Sequence, residues 1–182
     1  MHGADVKVVD PEIQPGLTGH ADALVTNRPG TLLVTRHADC PPLLVWDPKR
    51  RVLGLAHSGR RGTLANIAGA MVRRMVDQYA SNPQALVAHI GPGIRKCCYE
   101  VGQEIQAEAT RMGWGDEYFD TRAGSTYMNL QKLLYDQLHA AGVAAIYGEQ
   151  DAECTRCGPT QMHSYRREGS KVCFAAVAGI LP

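Results

Sequence analysis

The stretch LAHSGRRGT, residues 55–63, gathers a histidine, two arginines and two glycines where an apolar run gives way to a helical one. A plain surface turn tolerates such residues, but their types also suit an anion. A strand-to-helix turn leaves backbone N–H groups unpaired at the positive end of the helix. Arg60 and Arg61 add guanidinium forks at the same place, and the combination fits a phosphate. It is not a Walker loop, because the lysine and the longer glycine spacing are absent.

Upstream, TRHADCPPLLVWDP (residues 35–48) sets His37, Asp39 and Cys40 before two prolines and an apolar strand. Prolines lack the N–H a sheet ladder needs, so the strand is expected to begin after them, with Cys40 at its entrance. Free cysteines are often small buried hydrophobes. With His57 as a partner, Cys40 has two chemical readings: a nucleophile beside its base, or one of two ligands of a zinc ion. Either requires the strands that carry them to be neighbours. Cys154 and Cys157 form a CxxC, a pattern that serves zinc or redox chemistry. A four-thiolate zinc site would need a second pair of similar spacing, and adjacent Cys97 and Cys98 are a poor substitute. Cys173 completes the six.

The elements that must position these groups follow from periodicity. Short apolar strands are expected at 6–9, 23–26, 31–35, 43–46 and 52–56, several separated by turn signals such as RPG and DPKR. Leu64, Ile67, Ala68, Met71, Val72, Met75 and Val76 then recur three and four apart, an amphipathic helix with Thr63 as N-cap and SNP as its stop. A strand at 85–90 runs into Gly-Pro-Gly. Helices at 101–111 and 129–141 follow, the second stopped by Gly142, with strands at 143–147 and 172–177. Strands in a run, then mixed with helices, indicate an α+β fold: a mixed β-sheet core flanked by helices.

At 182 residues, with 45% hydrophobic and 20% charged side chains, the chain reads as one globular domain. A net charge of +1 carries no field for nucleic acid or membrane. No apolar run approaches the roughly 20 residues that span a bilayer, and the opening MHGADVKVVD has no signal-peptide pattern. A cytoplasmic location is expected, with the cysteines as thiols.

The same residues carry a resemblance to the YfiH family, also called laccase-domain or polyphenol-oxidoreductase-like proteins. MHGADV, ADALVT, HADCPPLLVWDP, AHSGRRG, GPGIRKCCYEVG, CTRC and HSYRREG follow the order of that family's motifs and cover essentially the whole chain. The resemblance implies a zinc site formed by His2, Cys40 and His57, two imidazoles and a thiolate with a fourth position open, as in catalytic zinc. Copper is the other metal it admits. It places Arg61, with Gly62 beside it, at the phosphate, and Cys40 and His57 at the centre of catalysis.

The activity so implied is phosphorolysis of purine nucleosides such as inosine and adenosine, with adenosine deamination and methylthioadenosine cleavage alongside. The partners are therefore a purine nucleoside and phosphate. The usual deaminase signature, HxE with PCxxC, is absent. Three alternatives stand beside this reading: a metal-free Cys40–His57 hydrolase acting on an amide or cell-wall precursor, a catalytically impaired binding protein, and a copper-dependent phenol oxidase. Family members carry several dozen more residues before the HG motif, so residues 1–182 are expected to form a single domain lacking that segment. Surfaces the segment would cover point to a homodimer. Arg60 stands in place of a tryptophan, His37 of a threonine and His163 of an aromatic residue. These changes suggest an altered pocket, although each histidine taken singly suits a packed or solvated role. Arg166 and Arg167 are open to substrate binding or to structural ion pairing.

Overall fold

Strand β5 (Val52–His57) divides the core in two. Val52 and Ala56 pack on one side with the helices, while Leu53 and Leu55 belong to a second apolar cluster on the other. That alternation is the two-residue period of a strand covered on both faces. The computed structural model describes residues 3–9, 16, 21–169 and 172–182. In it β5 lies inside a six-stranded mixed sheet with β1 (Val6–Val8), β2 (Ala23–Thr26), β4 (Pro42–Asp47), β6 (Val87–Ile90) and β10 (Ala145–Tyr147), ordered β1-β2-β5-β4-β6-β10. The outer pairs are parallel and the inner ones antiparallel. The fold is α+β, as expected. No helix among the described residues is long and apolar enough to cross a membrane.

One face of the sheet is covered by α2 (Ile67–Tyr79) and α4 (Leu130–Ala140), through Met71, Met75, Leu134 and Leu138. The helix comes very close at Gly54, where a β-carbon would lie 2.8 Å from Met71 Sδ. Gly54→Val should therefore overpack the core and lower unfolding free energy by about 1–3 kcal/mol in urea denaturation. Unchanged stability would show that α2 can lift off the sheet at no cost.

The other face is covered by a two-stranded ribbon. In it β3 (Leu32–His37) pairs antiparallel with β11 (Phe174–Gly179), and Leu33, Ala176 and Ala178 close over Leu53 and Leu55. A third sheet, β7-β9-β8, is formed by β7 (Glu100–Val101), β8 (Phe119–Arg122) and β9 (Ser125–Met128).

Several expected boundaries move, each for a local reason. The helix expected from Thr63 starts at Arg60, with Gly59 at its N-cap, and is split into α1 (Arg60–Leu64) and α2. Asn66 makes the break: it is left-handed (φ 62°), and its side chain accepts the Gly69 N–H at 3.1 Å. The apolar period survives because a single turned residue redirects the chain without shifting its register. Thr63 is inside α1, its hydroxyl bonded to the Ser58 carbonyl.

Strand β4 begins at Pro42 rather than after the prolines; the missing N–H falls at the first position, where it is tolerated, and the Pro42 carbonyl accepts from Gly91. The helix expected at 101–111 is β7 followed by α3 (Gln103–Arg111), with Gly102 as its N-cap. The β8–β9 hairpin turns at Ala123 and Gly124, both at positive φ. This two-residue geometry favours Asn-Gly, and an alanine at its first position left no sequence signal.

Candidate active site

Strands β4 and β5 are hydrogen-bonded neighbours, and Pro42 sits opposite His57. Cys40 therefore arrives at the end of β5 as the two strands required. A β-carbon on Gly59 would lie 3.0 Å from Cys40 Sγ and 3.5 Å from His57 Nε2, so both atoms face the space that this glycine leaves empty. They line a cavity of about 510 Å³ together with Arg60, Arg61, Tyr99 and Tyr165, a size that suits a small organic ligand.

Backbone contacts set the chemistry of the histidine. His57 Nδ1 lies 2.8 Å from the Arg36 carbonyl, an acceptor only, so Nδ1 carries the proton and Nε2 presents its lone pair. This is the tautomer that ligation of a metal through Nε2 requires, fixed by a backbone carbonyl. Cys40 is different: burial and the Asp39 carboxylate push its thiol up to about 11. A thiolate here needs a compensating cation.

His37 is a packing residue. Fully buried, it bonds Thr35 Oγ1 through Nε2 and the Cys40 carbonyl through Nδ1, and stacks against both His57 and Phe174. Burial and neighbouring His57 hold it neutral, with its pKa lowered to about 4 despite the Cys40 carbonyl. Its ring thus braces the loop that delivers Cys40.

Asp39 completes that brace from the other side. It is left-handed (φ 81°), and its two carboxylate oxygens accept from Thr155 Oγ1 at 2.7 Å and from the Arg166 backbone N–H at 2.6 Å. Its carbonyl accepts from Ile94 at 2.7 Å. One buried residue ties three loops to the turn before Cys40.

The remaining expected residues divide. Arg60 lines the cavity, but Glu108 of α3 neutralises it at 3.1 Å. Arg61 lines the cavity, and its side chain makes no hydrogen bond or ion pair among the described residues. Gly62, expected at the phosphate, is buried: a β-carbon there would meet the Gly3 carbonyl at 2.7 Å, so its close packing serves the Gly3 segment. His2 lies outside the described residues. His163 is half-buried beside Glu168 and is not among the residues that line the cavity. Arg166 and Arg167 are bonded to the carbonyls of Glu100 and of Thr155 and Arg156 respectively.

Sequence reasoning passed over Tyr99 and Tyr165, the aromatic lining. Tyr99 was legible in CCYEV, directly after the paired cysteines. It also undervalued those cysteines: Cys97 and Cys98 meet Cys154 and Cys157, their sulfurs all within 4.8 Å of one another.

A mixed sheet with helices on one face, a ribbon on the other, and a Cys–His pair at the end of two central strands defines a laccase-domain protein. The chain belongs to the family described as multi-copper polyphenol oxidoreductase laccase, whose model matches residues 1–180. It is 37% identical over 172 residues to a purine nucleoside phosphorylase of Deinococcus radiodurans, covering 94% of this chain and 64% of that protein. A purine nucleoside phosphorylase of Streptomyces coelicolor is 35% identical over 176 residues, with 92% and 67% covered. The chain thus spans about two-thirds of the length of these relatives. Among solved structures, YfiH of Bacillus licheniformis superposes with a TM-score of 0.88 at 28% identity, covering 99% of this chain and 72% of that one. YlmD of Geobacillus stearothermophilus gives 0.84 at 31%, covering 100% and 71%.

Proposed function

We propose that the chain is a metal-dependent purine nucleoside phosphorylase. The observation that carries this reading is the convergence of Cys40 Sγ and His57 Nε2 on the gap at Gly59, inside a cavity that Arg61 also lines. The relatives' names support the substrate class. Cys40 and His57, with His2 as a third donor, would hold a zinc ion; a soft thiolate with imidazoles suits zinc, and copper as the alternative. When bound, the ion supplies Lewis acidity.

The chain's own groups do the rest. In phosphorolysis a phosphate oxygen bonds to C1′ of the ribose as the C1′–N9 bond breaks, and its electron pair leaves with the base. Arg61 binds and orients the phosphate with a planar fork. Tyr99 and Tyr165 give the purine an aromatic wall. Burial keeps the Tyr99 hydroxyl protonated, so it stands as a hydrogen-bond donor in the cavity.

The test is product analysis. Inosine with phosphate should yield hypoxanthine and ribose 1-phosphate, and omitting phosphate should stop base release. Adenosine and methylthioadenosine extend the assay to the other expected reactions, including deamination. Base release that ignores phosphate, or no turnover of any of the three, would overturn the proposal. Arg61→Lys should raise the KM for phosphate or lower kcat/KM about tenfold to a hundredfold, the worth of one charge-assisted contact, with metal content intact. Unchanged phosphate dependence would leave Arg61 a surface residue.

A further inference from the structure

We infer that Cys97, Cys98, Cys154 and Cys157 form a second metal site, a closed tetrathiolate zinc centre that clamps the wall of the active-site cavity. The inference is independent of the phosphorylase reading. The four sulfurs lie within 4.8 Å of one another, and Cys97 and Cys157 approach to 3.5 Å. Zinc bound to four thiolates at about 2.3 Å sets its sulfurs about 3.8 Å apart, so side-chain rotations of about an ångström or less complete the tetrahedron.

The backbone is shaped for it. Residues 154–158, Cys-Thr-Arg-Cys-Gly, fold back so that the Gly158 N–H bonds the Cys154 carbonyl at 2.7 Å. A β-carbon at Gly158 would sit 2.6 Å from that same carbonyl, so the turn requires a glycine.

On the opposite strand of chain, the N–H groups of Cys98 and Tyr99 both bond the Arg95 carbonyl at 2.8 Å. That tight turn lets two consecutive cysteines face one point, which their sequence spacing argued against. Arg95, Lys96 and Arg156 flank the ligands in sequence.

The clamp acts on the cavity through its neighbours. Gly93 bridges to Cys154 and accepts from Thr155 at 3.1 Å, and Thr155 holds Asp39 before Cys40. Tyr99 of the cavity wall follows Cys98 directly. Soft thiolates select zinc, copper(I) or an iron–sulfur cluster; four cysteine ligands with no open position mark structural zinc.

The test begins with the unaltered protein, purified under reducing conditions without chelator. Titration with an organomercurial in the presence of a chromophoric zinc indicator should release two zincs per chain, and the same titration of Cys40→Ser should release one, in step with modification of the four thiols. Cys40→Ser should keep this zinc, and its cobalt(II)-exchanged form should show intense thiolate-to-cobalt charge-transfer absorption. Cys97→Ser combined with Cys157→Ser should lose one zinc equivalent. Four thiols that react without releasing metal would overturn the inference, as would a mass deficit of two hydrogens locating a Cys97–Cys157 disulfide. A Cys40→Ser protein with neither zinc nor a cobalt–thiolate signal would overturn it as well. The Cys40→Ser titration decides the matter even where the double variant fails to fold.

Discussion

Cys40→Ser should lose one equivalent of bound metal per chain and about a thousandfold in kcat/KM for inosine phosphorolysis. The thiolate is the anionic member of the donor set, and Ser offers a neutral hydroxyl that matches neither the charge nor the softness. Lewis-acid assistance is worth several kcal/mol, and at about 1.36 kcal/mol per decade this amounts to roughly three orders of magnitude. The fold should hold, because Cys40 is only half-buried and its carbonyl, not its sulfur, carries the bond to His37. Elemental analysis, circular dichroism and inosine kinetics on one preparation separate these effects. Full metal content with unaltered kinetics would remove Cys40 from the site.

Asp39→Ala should cost stability more than any other single change near the cavity. The carboxylate accepts from Thr155 Oγ1 and the Arg166 N–H, both in buried or half-buried surroundings. Hydrogen bonds to a charged group contribute about 1.5–3 kcal/mol each, so roughly 3–6 kcal/mol is at stake in urea unfolding. Alanine also fits poorly at φ 81°, whereas asparagine tolerates that conformation. Asp39→Asn should recover about half the loss, since one acceptor remains. Asp39 touches no substrate in this reading; it positions Cys40, so the alanine variant should weaken metal affinity as well. A stability within about 0.5 kcal/mol of wild type would show the three-loop tie to be dispensable.

Local periodicity made the central sheet legible: Ala23–Thr26 and Val52–His57 alternate or run apolar with clear turn signals, and their pairing follows from burial on both faces. Helix α4 was plain for the same reason, with Asn129 capping Lys132 and Gly142 at φ 89° ending it. What stayed hidden is either a local conformation that residue type does not signal or a contact between residues far apart in sequence. Asn66 breaks a helix whose apolar period continues unbroken, and Ala123 occupies a turn position that signals nothing by type. The neutralising of Arg60 by Glu108 is invisible until α3 packs beside α1. The four-cysteine cluster shows the limit most clearly. Spacing along the chain made Cys97 and Cys98 a poor second pair, and a tight turn at Arg95 makes them converge.

The ribbon of β3 and β11 has a kinetic consequence. Arg36 and Cys173, bonded across it, are 137 residues apart, so its loop closure comes after nearly every other contact has a chance to form. Pairings of such long range slow folding, and as synthesis proceeds from the N-terminus the early strands wait for Phe174–Gly179 to emerge. During that interval Leu33, Leu53 and Leu55 have no cover, and His37 lacks the Phe174 ring that holds it against His57. Arrival of the last strand therefore ends the aggregation-prone stage and braces the Cys40 loop in a single event, so a chain that has not finished folding has no finished site with which to misfire.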